Sequence, residues 1–152
     1  MGAVAALSIA AIGLSGWTLM RFSSDESDST PSYSESQRAD AKVQICRAFD
    51  TVRRGVSRNT SLAVPSGPDN VAASLAVVAN ARIALYDGGQ YLLARLDPAT
   101  PAELADTVRE FANVLMDIGA AATAGTVDTD PDQAARLRSA DGANVKLSQL
   151  CA

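Results

Sequence analysis

The sequence contains no histidine. That absence removes the side chain whose ordinary pKa lies closest to neutrality. His-dependent triads and dyads and most zinc sites go with it. Aromatic residues are scarce, at 5% of the chain, so Ala, Leu and Val must fill the core. There is no Gly-rich phosphate loop: "YDGGQY" sits inside an apolar helical pattern and lacks the spacing of a dinucleotide or P-loop motif. The two cysteines, Cys46 and Cys151, do not form a CxxC pair. The formal net charge is -4, which argues against nucleic acid as a partner. No cofactor and no metal is expected.

Charge is also missing from residues 2–20, between Gly2 and Met20. A helix of that length spans about 28 Å at roughly 1.5 Å per residue, close to a bilayer's hydrocarbon core. Trp17 lies near one end and Arg21 closes the run, as at a lipid–water interface. A cleaved signal is the less favoured reading. No Lys or Arg precedes the run, and "GWTLMRFSS" offers no Ala-x-Ala site. A buried core helix would show more of a polar face than Ser8, Ser15 and Thr18. Residues 1–21 are therefore expected to be an uncleaved transmembrane anchor. A membrane helix starting at residue 2 is unusual, and a natural N-terminus lost to a late start site is one explanation. Gly2, Ala6 and Ala10 share the four-residue spacing that lets membrane helices approach closely, though an Ala-rich anchor explains them equally.

Residues 22–34 are Ser- and Asp-rich and read as a flexible tether. Residues 35–152 form the body. Its two cysteines stand near its start and its end, which suits a single disulfide in an oxidising compartment. Two unrelated buried thiols are the alternative, and a body turned to the cytoplasm with reduced thiols is a further one. The acidic flank after the anchor mildly favours the outer side.

Helical period runs through the body. Helix one is expected from about Glu35 to Asn59, with Val43, Cys46, Phe49, Val52 and Val56 inward. In the next segment Val71, Leu75, Val78, Leu85, Leu92 and Leu96 keep the period across Gly88-Gly89. One long helix is expected there, ended by Pro98, with the two glycines as a kink or a groove. "TPAE", Thr100 to Glu103, reads as a capping box with Pro101 in the first helical position. Leu104, Val108, Phe111, Leu115, Ile118 and Ala122 follow as a stripe, and Gly125 is a natural stop. "DPDQ", Asp130 to Gln133, opens the last helix in the same way. Its stripe is Leu137, Ala140, Asn144, Leu147 and Cys151, with Gly142 and Asn144 as weak points. The expected fold is all-α: an N-terminal transmembrane helix and a small up-down four-helix bundle. In that topology residues 35–45 would form a stalk below Cys46. Helix one beyond Cys46 looks short beside helix four, so either helix one continues past Asn59 or helix four breaks near Gly142.

Few residues suggest chemistry. Asp106, Glu110 and Asp117 fall on the outward side of their helix, not in a cleft where two carboxylates could work together. Arg47, Arg53, Arg54 and Arg58 form a basic stripe on helix one that could meet an anionic partner, or simply be a solvated face. Arg82 interrupts an apolar stripe and could pair across the bundle, reach outward or clamp a ligand. Asn59-Thr60-Ser61 fits the N-glycosylation sequon.

The stretches "CRAFDTVRRGV" and "GGQYLLARLDPATPAELADTVREFA", with the high Ala content and the apolar start, resemble uncharacterised single-pass membrane proteins of mycobacteria and related actinobacteria. The resemblance covers the body from about Cys46 to Cys151 and brings no functional residues with it. It implies location at the cell membrane, with the body extracytoplasmic, and an accessory role. The expected function is a non-enzymatic accessory or interaction protein of the cell envelope, with the membrane and an envelope protein as partners. A module binding a lipid or other small ligand is the alternative.

Overall fold

The computed structural model describes residues 32–152 apart from Ser66 and Pro68. The uncharged run at residues 2–20 and the tether up to residue 31 lie outside the described residues. Among the described residues no helix is long and apolar enough to cross a membrane. Ser34–Ala152 form one compact unit. It is all-α, with four helices: α1, Glu35–Thr60; α2, Val71–Leu93; α3, Ala102–Thr123; and α4, Pro131–Leu150.

Each helix begins for a local reason. Ser34 caps α1 through a complete capping box. The Gln37 N–H donates to the Ser34 hydroxyl at 3.2 Å, and the Ser34 N–H donates to Gln37 Oε1 at 2.8 Å. Asn70 Oδ1 caps α2 by accepting from the Ala73 N–H. Asp130 caps α4, with Pro131 next to it. α3 differs from expectation. Its N-cap is Pro101, and no side chain caps it. The Thr100 hydroxyl is buried without a partner, because Asp97 draws Ala99 and Thr100 into a tight turn instead. The far end of α3 stops as Gly125 predicts. Gly125 has a φ of 94°, and the N–H groups of Gly125 and Thr126 return to the carbonyls of Ala122 and Ala121.

The helices pack in sequence, α1 on α2, α2 on α3 and α3 on α4. The core is built from Ile45, Phe49 and Val52 of α1, Leu85 and Leu92 of α2, the stripe from Leu104 to Ile118 of α3, and Ala140, Ala143 and Leu147 of α4. Phe49 and Phe111 meet edge to face at 5.7 Å. Cys46 and Cys151 are joined as a disulfide with a Cα–Cα distance of 5.5 Å, tying α4 back to α1.

Several expected details change. Val43 is 49% exposed, and the buried line of α1 is Ala41, Ile45, Ala48, Phe49 and Val52. Val43 lies two residues from both Ala41 and Ile45, about 200° around the helix, so it faces out. Burial of Ala41 and Ile45 also makes residues 41–45 part of the body, not a stalk. α2 stops at Leu93, five residues before Pro98, and runs unbroken through Gly88-Gly89. α1 ends at Thr60, and α4 continues through Gly142 to Leu150. The length mismatch is therefore resolved by neither expected route. α4 runs alongside the distal half of α1 and leaves a gap there.

Candidate functional site

That gap is a concave feature of the unit. A groove of about 1020 Å³ lies between α1 and α4, with α2 and α3 as its floor. It sits at the upper end of the size range of ligand pockets, about 300–1,000 Å³. Composition explains why the bundle opens here. Phe49 and Phe111 fill the centre at the disulfide end, and no aromatic residue fills the other. On α1 the groove is lined by Val56, Ser57, Asn59 and Thr60, and on α4 by Leu137, Ala140 and Asn144. These side chains are too small or too polar to close the seam. Phe111, Leu115 and Ile118 of α3 and Leu85 of α2 supply an apolar floor.

The charges around the groove are segregated. Arg53, Arg54 and Arg58 of α1 and Arg82 of α2 line one side, and Asp128 and Asp141 line the other. Asp50 pairs with both Arg53, at 3.1 Å, and Arg54, at 2.8 Å. Such exposed pairs contribute little stability, but they occupy those two guanidinium groups. Among the described residues, Arg58 and Arg82 have no ion pair and no side-chain hydrogen bond. Two polar atoms in the groove walls are shielded from solvent and unpartnered: Arg82 Nε and Asn144 Oδ1. An unsatisfied buried polar group costs about 1–3 kcal/mol.

The sequence-predicted residues are redistributed. Arg53, Arg54 and Arg58 reach the groove, whereas Arg47 is exposed and lines no part of it. Gly88 and Gly89 lie at close helix contacts. A Cβ at Gly88 would meet Val52 Cγ1 at 2.9 Å, and one at Gly89 would meet the Ala112 carbonyl oxygen at 2.5 Å. They let α1 and α3 approach α2, and the groove lies elsewhere. Asp106, Glu110 and Asp117 are exposed, as their helical positions require. Asn59 of the sequon is half-buried and donates to the Gly55 carbonyl at 2.8 Å. Among the described residues no group of three His, Cys, Asp or Glu side chains could hold a metal ion.

Gln133 was read from sequence as a capping residue, yet it is 0% exposed. Its Nε2 donates to the Ile118 carbonyl at 3.2 Å, fixing the start of α4 against α3 at the foot of the groove. The signal that could have found it is the inward phase it shares with Leu137 and Ala140. A second surface lies on α2. Gly88 against Val52 and Gly119 against Arg82–Tyr86 set a register that carries the start of α2 beyond α1 and α3. Val71 and Leu75 are 68% and 66% exposed as a result.

Comparison of the chain with protein families, characterised proteins and solved structures finds no match.

Proposed function

We propose that the helical unit is a non-enzymatic binding module whose α1–α4 groove holds an elongated apolar ligand, such as an acyl chain. The observation that carries this reading is the groove itself: large, open along one side and floored by Leu85, Phe111, Leu115 and Ile118. The lack of histidine, and the outward carboxylates of α3, support a role in binding over catalysis. In this reading residues 2–20 hold the protein in the cell membrane as a single-pass anchor. The unit then stands on the extracytoplasmic side, as an accessory protein of the envelope. The paired Cys46 and Cys151 support an oxidising compartment.

The test is a titration of a fluorescent acyl probe into the oxidised Ser34–Ala152 unit. Saturable one-to-one binding is expected, with a Kd of roughly micromolar or tighter. Ala81→Trp and Ala122→Trp place an indole at half-buried positions that line the groove. Each should weaken binding at least about tenfold, or about 1.4 kcal/mol, with little change in helix content. Non-saturable binding, or equal binding by both variants, would refute the groove as the site.

A further inference from the structure

Resting on that reading, we propose that the ligand carries an anionic oxygen head, a carboxylate or phosphate ester, seated between Arg58 and Arg82. Both arginines line the groove. The helix register brings them together. Gly88 of α2 packs on Val52 and Val56 of α1, and the two helices run antiparallel. Moving six residues back along α2 from Gly88 reaches Arg82, at the level of α1's last turn, where Arg58 stands. The two guanidinium groups therefore share one end of the groove.

They are also the two arginines of the groove that the protein leaves unpaired. Arg53 and Arg54 share Asp50, while the groove's aspartates, Asp128 and Asp141, form no ion pair with any arginine among the described residues. Arg82 Nε is buried without an acceptor. A guanidinium presents its N–H donors in a planar fork that matches carboxylate and phosphate oxygens. An oxygen anion at this end would pair with the Arg82 and Arg58 guanidinium groups that line the groove. The chain behind it would run along the floor past Leu115 toward Leu137 and Ala140. The α4 side of the groove spans Gln133 to Asn144, about 16 Å at 1.5 Å per residue, room for a medium-length chain.

Photo-crosslinking distinguishes the heads. The full chain, in phosphatidylcholine nanodiscs, is irradiated with diazirine-bearing acyl probes of one length that end in a carboxylate, a phosphate, an alcohol or a trimethylammonium group. Labelled residues are mapped by mass spectrometry. The carboxylate and phosphate probes should label groove residues of α3 and α4 at least tenfold more than the alcohol or the ammonium. Arg58→Gln, at an exposed position, should bring the carboxylate-to-alcohol ratio close to one, and Arg82→Gln should do the same. Equal groove labelling by all four heads, or an unchanged ratio in Arg58→Gln, would overturn the anionic head and leave the groove as an acyl site. Absence of groove labelling by any probe would overturn the binding reading as well.

Discussion

Replacing Cys46 and Cys151 together by alanine should lower the stability of the helical unit by about 4 kcal/mol, with a decrease in Tm of roughly 10–20 °C. The bridge joins residues 105 apart, and closing a loop of about a hundred residues removes unfolded-state entropy worth about 4.7 kcal/mol as an upper guide. Domains of this size have a total stability of only about 5–15 kcal/mol. The Cα–Cα distance of 5.5 Å is the ordinary one for a disulfide, so backbone placement does not oppose the bond. The position of the bridge adds a second consequence. Helices α1 and α4 lack an extended packed seam, and a groove occupies the space where one would lie. The disulfide is the fixed point of that pair, so its loss should also loosen the groove and reduce ligand affinity. Thermal unfolding followed by circular dichroism, with and without reductant, measures the effect. A Tm change below about 3 °C would mean that packing alone holds α4 in place.

Two glycine substitutions should move stability in opposite directions. Gly89→Ala puts a Cβ 2.5 Å from the Ala112 carbonyl oxygen and 2.6 Å from Met116 Cγ. Met116 is flexible and can move aside, but the carbonyl belongs to the backbone of α3. Relief of that contact requires α2 and α3 to separate along the face that carries Leu85 and Leu92 on one side and Leu115 and Ile118 on the other. Overpacking of this kind costs about 3 kcal/mol, offset by about 1 kcal/mol from alanine's better helix propensity. A net loss of about 2 kcal/mol is expected. Gly142 also lies inside a helix, but a Cβ there meets nothing within 4 Å. Gly142→Ala should therefore gain close to the full propensity difference, about 1 kcal/mol. Urea unfolding of the two variants gives the comparison. A midpoint unchanged or raised in Gly89→Ala would contradict the close approach at Gly89, and one lowered in Gly142→Ala would contradict the open space at Gly142.

Much of the fold was legible because α3 announces itself. Its stripe from Leu104 to Ile118 keeps strict helical spacing, and every member is buried. Gly125 ends it by a conformation that glycine adopts freely. The start of α1 at Glu35 and the disulfide partners were legible for similar local reasons. The alanine faces were not. Ala41 and Ala48 carry part of the buried line of α1, yet a reading that seeks large side chains passes over them and selects Val43. In an Ala-rich helix the small residues mark where a neighbour comes closest, and the branched ones can point to solvent.

The groove was illegible for a different reason. Periodicity gives the direction of an apolar face but not the distance to the next helix. Val71, Leu75 and Val78 continue the stripe of α2 faithfully, and all three are exposed, because α1 and α3 end before reaching them. Nor does periodicity report that the side chains along the α1–α4 seam are too small or too polar to close it. Only the consequence was visible in advance: Arg82 interrupting a stripe, and a basic run on α1. The packing shows why Arg58 and Arg82 belong together, and why Arg47 does not join them.

The most direct test is to locate bound ligand on the protein. Amide chemical shifts of the nitrogen-15-labelled Ser34–Ala152 unit, followed during titration with a carboxylate-headed acyl chain, provide that location. The largest changes should fall on Arg58, Ala81, Arg82, Leu115, Leu137 and Asn144, and should saturate together. Changes confined to Val71 and Leu75, which lie outside the groove, or no saturable change at any residue, would contradict the assignment of the α1–α4 groove as the binding site.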